Sequence, residues 1–130
     1  MAVSPRPCPC GLSEPFDACC GRYLGESDTA APTAEALMRS RYTAFARGDV
    51  DHLLRTWHPA TRPTTLTLDP SIRWTHLEVL DRVGGGIFDT DGVVEFRAHH
   101  REGQQSGVLH ERSRFVREAG QWLYRDGVAR

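Results

Sequence analysis

Val108-Leu109-His110-Glu111-Arg112-Ser113-Arg114-Phe115-Val116 reads as a β-strand. Leu109, Glu111, Ser113 and Phe115 fall on one face of a two-residue repeat, and His110, Arg112 and Arg114 fall on the other. Leu109 and Phe115 mark the first face as the core side. Trp74 to Val83 repeats the pattern, setting Leu77, Val79 and Asp81 against Trp74, His76, Glu78 and Leu80. Val93 to His99 alternates likewise, and Trp122 to Arg125 closes the set. Gly84-Gly85-Gly86, Asp91-Gly92, Glu102-Gly103 and Ala119-Gly120 supply the turns. These connections are too short for crossover helices, so neighbouring strands pair antiparallel.

Upstream the period is 3.6. Thr33 caps a helix whose apolar stripe is Leu37, Met38, Tyr42 and Phe45, and Gly48 stops it. Asp49 caps a second helix, with Val50, Leu53, Leu54 and Trp57 on one face, that runs to Pro59. Leu24 to Pro32 is a linker or loop, and Arg62 to Pro70 is irregular or one short strand. Helices first and a curved antiparallel sheet second make an α+β fold. At 130 residues with 39% hydrophobic and 25% charged side chains, the chain supports one core.

Sixteen Lys+Arg against 17 Asp+Glu leave a net charge of −1, so no basic field favours nucleic acid. No run approaches the roughly 20 apolar residues that span a bilayer. Met1 to Pro9 lacks the apolar stretch of a secretory signal. These features predict a cytoplasmic protein without a membrane partner.

All four cysteines, Cys8, Cys10, Cys19 and Cys20, lie at the N-terminus. Their spacing suits neither short-range bridges nor a C-x-x-C redox pair. Four thiolates suit a closed tetrahedral structural Zn²⁺ site, and four free thiols are the alternative. Gly11 and Gly21 follow the two pairs and permit tight turns, and Arg6 and Arg22 flank the cluster's negative charge. The segment before Leu24 holds few apolar side chains, so its order depends on the metal.

Cys8-Pro9-Cys10-Gly11 and Cys19-Cys20-Gly21 resemble the SEC-C zinc motif of the SecA translocase and many bacterial proteins. Leu37-Met38-Arg39-Ser40-Arg41-Tyr42, Thr56-Trp57-His58-Pro59, Trp74 to Leu77 and Leu109 to Phe115 are similar to the YchJ family. That resemblance implies a zinc knuckle over residues 1–24. It also implies a cone-shaped domain similar to nuclear transport factor 2 over residues 25–130. It implies architecture rather than activity. SEC-C loops usually carry lysines that dock on an acidic partner such as the SecB chaperone. Here Leu12 to Ala18 contains Glu14 and Asp17 instead, so the ligands transfer and the docking surface does not.

A cone encloses a cavity whose polar residues decide its use. Glu111 and Ser113 point toward it, and a buried carboxylate needs a partner. Arg39 and Arg41 on the first helix are the candidates, either as a functional group or as a structural ion pair. His58, after Trp57 at the end of the second helix, is a general acid or a cap. His99 and His100 face opposite ways and cannot share one ion, and His110 lies on a strand. Trp74, Trp122 and Tyr124 line the sheet or cavity. Two functions follow. One is a zinc-containing module offering a protein or small molecule its pocket, or a second copy its sheet. The other is a small isomerase- or dehydratase-like enzyme using Glu111 with His58 or His110.

Overall fold

The computed structural model describes residues 7–25 and 29–130. Thr33 caps α1 (Ala34–Arg47), its Oγ1 accepting from the Ala36 amide at 3.0 Å, and Gly48 ends the helix. Asp49 caps α2 (Val50–Arg55) by accepting from the His52 amide at 3.0 Å. Both starts lie where the capping residues predict. The second helix, however, stops at Arg55 instead of reaching Pro59. Its next residues pair with the last strand: Tyr124 N donates to Thr56 O and His58 N to Tyr124 O, each at 2.8 Å. Backbone groups that another helical turn would need are thereby committed to the sheet.

Four strands follow, β1 (Ile72–Gly84), β2 (Asp91–Glu102), β3 (Gln105–Glu118) and β4 (Gln121–Ala129). They form one antiparallel meander in the order β1-β2-β3-β4. The helices pack against one face of this curved sheet, giving the expected α+β architecture. Residues 62–70 form no strand.

Asp91-Gly92, expected as a turn, opens β2, and the chain reverses just before it. The local packing explains why Gly92 stands there. A Cβ on Gly92 would lie 2.6 Å from Gly85 Cα and 3.0 Å from Ala34 Cβ. The bare backbone lets the start of α1 touch the β1–β2 hairpin, where Ala34 N donates to Gly85 O at 2.9 Å.

Strict alternation also fails at three places. The pairing register shifts between Trp74 and His76, between Val79 and Asp81, and, opposite Arg114 and Phe115, at Arg125 of β4. Each shift inserts an extra residue and bends the strand. Thr75 thus brings Trp74 onto the same inner face as Leu77 and Val79, although simple alternation separates them. Leu80 in turn sends Asp81 outward to Arg112, at 3.0 Å.

Leu37, Met38, Leu53, Val94, Phe115 and Trp122 form the core between helices and sheet. The four cysteines belong to the same buried cluster. Cys8 Sγ lies 3.6 Å from Thr43 Oγ1, Arg39 Nη1 donates to Cys10 O at 2.6 Å, and the Arg47 guanidinium sits 4.0 Å from the centre of the Phe16 ring. In the stretch expected as a linker, Leu24 and Ala31 are buried and Pro32 O accepts from Trp122 Nε1 at 3.2 Å. Among the described residues, no helix is long and apolar enough to cross a membrane.

Gly92→Ala is expected to lower stability by about 1–3 kcal/mol, because the added methyl must push α1 off the hairpin. Urea unfolding measures this, and a loss under about 0.5 kcal/mol would refute the close approach.

Candidate functional site: a four-thiol centre and the cone cavity

The segment 7–25 folds back on itself before it meets α1. Cys8 N donates to Glu14 O at 2.7 Å, and two single-turn 3-10 helices, Phe16–Ala18 and Cys20–Arg22, carry the second cysteine pair. Gly21 is needed within the second of them, since a Cβ there would lie 2.7 Å from Phe16 O. The result brings the four sulfurs within 4.8 Å of one another, all buried and none in a disulfide. Cys10 Sγ and Cys19 Sγ are 3.5 Å apart. A tetrahedral ion with sulfurs at about 2.3 Å sets them roughly 3.8 Å apart, so the cluster has the dimensions of a metal site. Burial pushes the Cys19 thiol up to about 12, and hydrogen bonding to Cys10 and Cys8 pushes Cys20 up as well. The same contacts lower the Cys8 thiol, and four thiolates held this close would repel one another unless a cation offset their charge, so the donor set suits a metal ion. Arg22 Nε donates to Cys19 O at 2.9 Å, and Arg39 adds a second positive group at Cys10 O. Arg6 lies outside the described residues.

On the far side of α1 a cavity of about 230 Å³ opens between the helices and the inner face of the sheet. Tyr42, Phe45, Trp57, Trp74, Phe96 and Tyr124 supply its aromatic walls. Its polar groups are few. Arg41, 6% exposed, donates from Nη1 to Leu53 O at 2.8 Å and to Thr56 Oγ1 at 2.7 Å. Its guanidinium carbon lies 5.1 Å from the centre of the Trp57 ring and 4.7 Å from that of Tyr124. Burial lowers its pKa to about 10, which leaves it charged at neutral pH. Glu111 Oε2 accepts from Ser113 Oγ and, at 3.3 Å, from the Tyr124 hydroxyl. Burial and then the neighbouring Glu111 charge push the Tyr124 pKa upward. The Trp57 indole N–H is buried without an acceptor among the described residues.

Of the residues nominated from sequence, Arg41, Trp57, Trp74, Glu111 and Ser113 meet at this cavity. Arg39, His58 and His110 do not. Arg39 faces away from the cavity, pairing with Glu35 at 2.8 Å, one helical turn earlier. His58 is drawn past the helix end by β4 and pairs with Glu118 at 2.9 Å. His110 neighbours Glu111 on one strand and so takes the opposite face, where it meets Glu95 at 2.8 Å. His99 and His100 also divide: His99 meets Glu78 at 2.6 Å, and the His100 ring lies 5.2 Å from that of Trp74. The expected ion pair between Glu111 and a first-helix arginine is absent. No carboxylate approaches Arg41 within 4 Å among the described residues; its partners are Leu53 in α2 and Thr56, which caps the end of that helix.

Alternation and helical spacing do not reveal one buried polar cluster. His52 Nε2 lies 2.9 Å from Ser40 Oγ, and Arg55 Nη2 lies 3.2 Å from His52 Nδ1. Arginine only donates, so the Arg55 contact favours the tautomer in which Nδ1 accepts and Nε2 carries the ring proton toward the serine. Ser40 in turn donates to Leu37 O at 2.7 Å. That bond occupies the serine's one hydroxyl proton.

Residues 33–127 match the family model described as YchJ, middle NTF2-like domain. The chain belongs to the YchJ family. Curated YchJ relatives are called UPF0225 proteins. One, from Streptomyces coelicolor, is 60% identical over 121 residues, 93% of this chain and 94% of that one. Another, from Chromobacterium violaceum, is 52% identical over 124 residues, 93% of this chain and 91% of that one. Two solved structures are similar along nearly the whole chain. A SEC-C motif containing protein from Rhodopseudomonas palustris matches with a TM-score of 0.82 and 34% identity, covering 96% of this chain and 99% of that one. A second such protein, from Psychrobacter arcticus, gives a TM-score of 0.74 and 28% identity, covering 97% of this chain and 84% of that one.

Burial, followed by the Arg55 and Arg41 charges, lowers the His52 pKa to about 4. Between an unfolded value near 6.5 and that value, the unfolded chain binds a proton that the folded chain does not. Stability is therefore expected to fall as pH drops through this window, by at most about 3 kcal/mol. Urea midpoints at pH 7, 5.5 and 4 measure the slope, which should be shallower in His52→Gln; equal slopes would remove His52 as the cause.

Proposed function

We propose that this protein is a small-ligand-binding module, with a structural zinc ion holding its N-terminal segment and the cone cavity receiving the ligand. The observation that carries the ligand reading is an aromatic-walled cavity in which Arg41 and Glu111 stand unpaired with one another. Binding sites commonly combine such an apolar body with a few convergent polar groups. Zinc suits the other centre because closed four-thiolate sets of this size take it for structure rather than catalysis. The SEC-C description of the two similar structures supports the same choice. A catalytic reading would have to run on Glu111 and Tyr124. His58 and His110, the histidines named for proton transfer, stand outside the cavity.

Protein purified without added metal should contain close to one zinc per chain, and a Cys8→Ser/Cys19→Ser double variant should lose it. Full retention in that variant would refute the ligand set. Chelation should abolish hydrogen-exchange protection before Leu24 and weaken it around Thr43, where Cys8 touches α1, while β3 stays protected.

The cavity is tested with toluene, a probe of its apolar walls. Toluene should shift the Trp74 indole N–H resonance in the NMR spectrum of the zinc-bound protein. Leu109→Trp, which places a larger ring at a 40%-exposed cavity-lining position, should weaken that response at least tenfold while moving the thermal midpoint little. An unchanged response in the variant would place toluene elsewhere.

A further inference from the structure

We infer that the ligand's recognised head group is an uncharged primary amide, carried on a single-ring or similarly small apolar body; this rests on the small-ligand reading above.

Arg41 and Glu111 each keep open hydrogen-bonding capacity inside one cavity. Arg41 uses Nη1 for both its bonds, so its Nε and Nη2 donors have no partner among the described residues. Glu111 receives Ser113 and Tyr124 on Oε2, and its Oε1 has no partner among the described residues. Tyr124 spans the two groups, its ring beneath the guanidinium and its hydroxyl on the carboxylate. A ligand placed along Tyr124 meets donors from Arg41 and an acceptor from Glu111.

The opposed charges restrict what fits. A carboxylate would satisfy Arg41 but stand beside Glu111, and an ammonium would satisfy Glu111 but stand beside Arg41. A primary amide offers its carbonyl to the guanidinium and its NH₂ to the carboxylate, completing both with charge-assisted bonds. A zwitterion has the same polarity, but removing two further charges from water into aromatic walls costs far more than removing one amide. Size limits the body. About 230 Å³ is below the roughly 300–1,000 Å³ of sites for drug-sized ligands. Trp74, set nearly edge-on to Tyr42 at 6.2 Å and tilted to Phe45 at 5.9 Å, forms a wall against which a flat ring can pack.

NMR titration of the full, zinc-bound chain with benzamide, benzoate, benzylammonium, phenylglycine and toluene tests this inference. Benzamide should bind at least tenfold more tightly than each of the others. In Glu111→Gln, Arg41 keeps its charge without an opposing one, so benzoate should gain at least tenfold and overtake benzamide. If that variant does not fold, the wild-type series decides by itself. Toluene binding as tightly as benzamide would overturn the head-group assignment and leave the small-ligand reading standing. Phenylglycine, benzoate or benzylammonium binding more tightly than benzamide would overturn the amide class. Failure of every probe, toluene included, would overturn both readings.

Discussion

Arg41 carries a buried charge with no carboxylate within 4 Å among the described residues, and the packing that compensates it organises both helices and the last strand. Taking a guanidinium out of water costs several kcal/mol even after relaxation. Two short hydrogen bonds to α2 and the faces of Trp57 and Tyr124 offset that cost, cation–π contacts contributing about 2 kcal/mol when desolvated. A planar guanidinium can donate from one nitrogen to a carbonyl and a hydroxyl while lying over two rings. Diverting the Leu53 carbonyl to Arg41 helps end α2, which frees Trp57 and His58 to bridge β4. Because the partners of Arg41 come from α2 and not from the sheet, the space between it and Glu111 stays open.

The thiol segment meets α1 on the side away from the cavity, so this helix is covered on two sides. That double duty explains why Ser40 and Thr43, both wholly buried, are small and polar. Each answers a polar neighbour at close range, His52 in one case and Cys8 in the other. A larger apolar residue at either place would strand that neighbour. The sheet divides its labour too. Its outer face carries a charged network, with Arg112 reaching Asp81 and Glu95 and His110 reaching Glu95, while its inner face holds the core and cavity.

The sequence announces the elements through local chemistry. Thr33 and Asp49 cap the helices because their side chains answer amides three residues on, an interaction complete within one turn of chain. The two-residue repeat of Val108 to Val116 places Leu109, Glu111, Ser113 and Phe115 on one face because β3 is unbroken along that stretch. The cysteine cluster is equally legible, since close spacing in the chain leaves four sulfurs little choice but to converge. Where the repeat is interrupted, local reading fails. Thr75 and Leu80 look like ordinary strand residues, and their role as bulges depends on pairing with β2.

The sequence alone therefore determined the order of elements, the antiparallel sheet, the four-thiol set and the inward face that carries Glu111. Each depends on neighbours within a turn, a strand or a short loop. The tertiary structure decided where α2 stops, which residues bulge, and that Arg41 bonds to α2 rather than to Glu111. It also left His58 and His110 outside the cavity and joined Ser40, His52 and Arg55 into one buried cluster. Those outcomes turn on competition between distant groups for the same donors and acceptors. Such competition is resolved only when helices and sheet meet and buried polar groups must find partners.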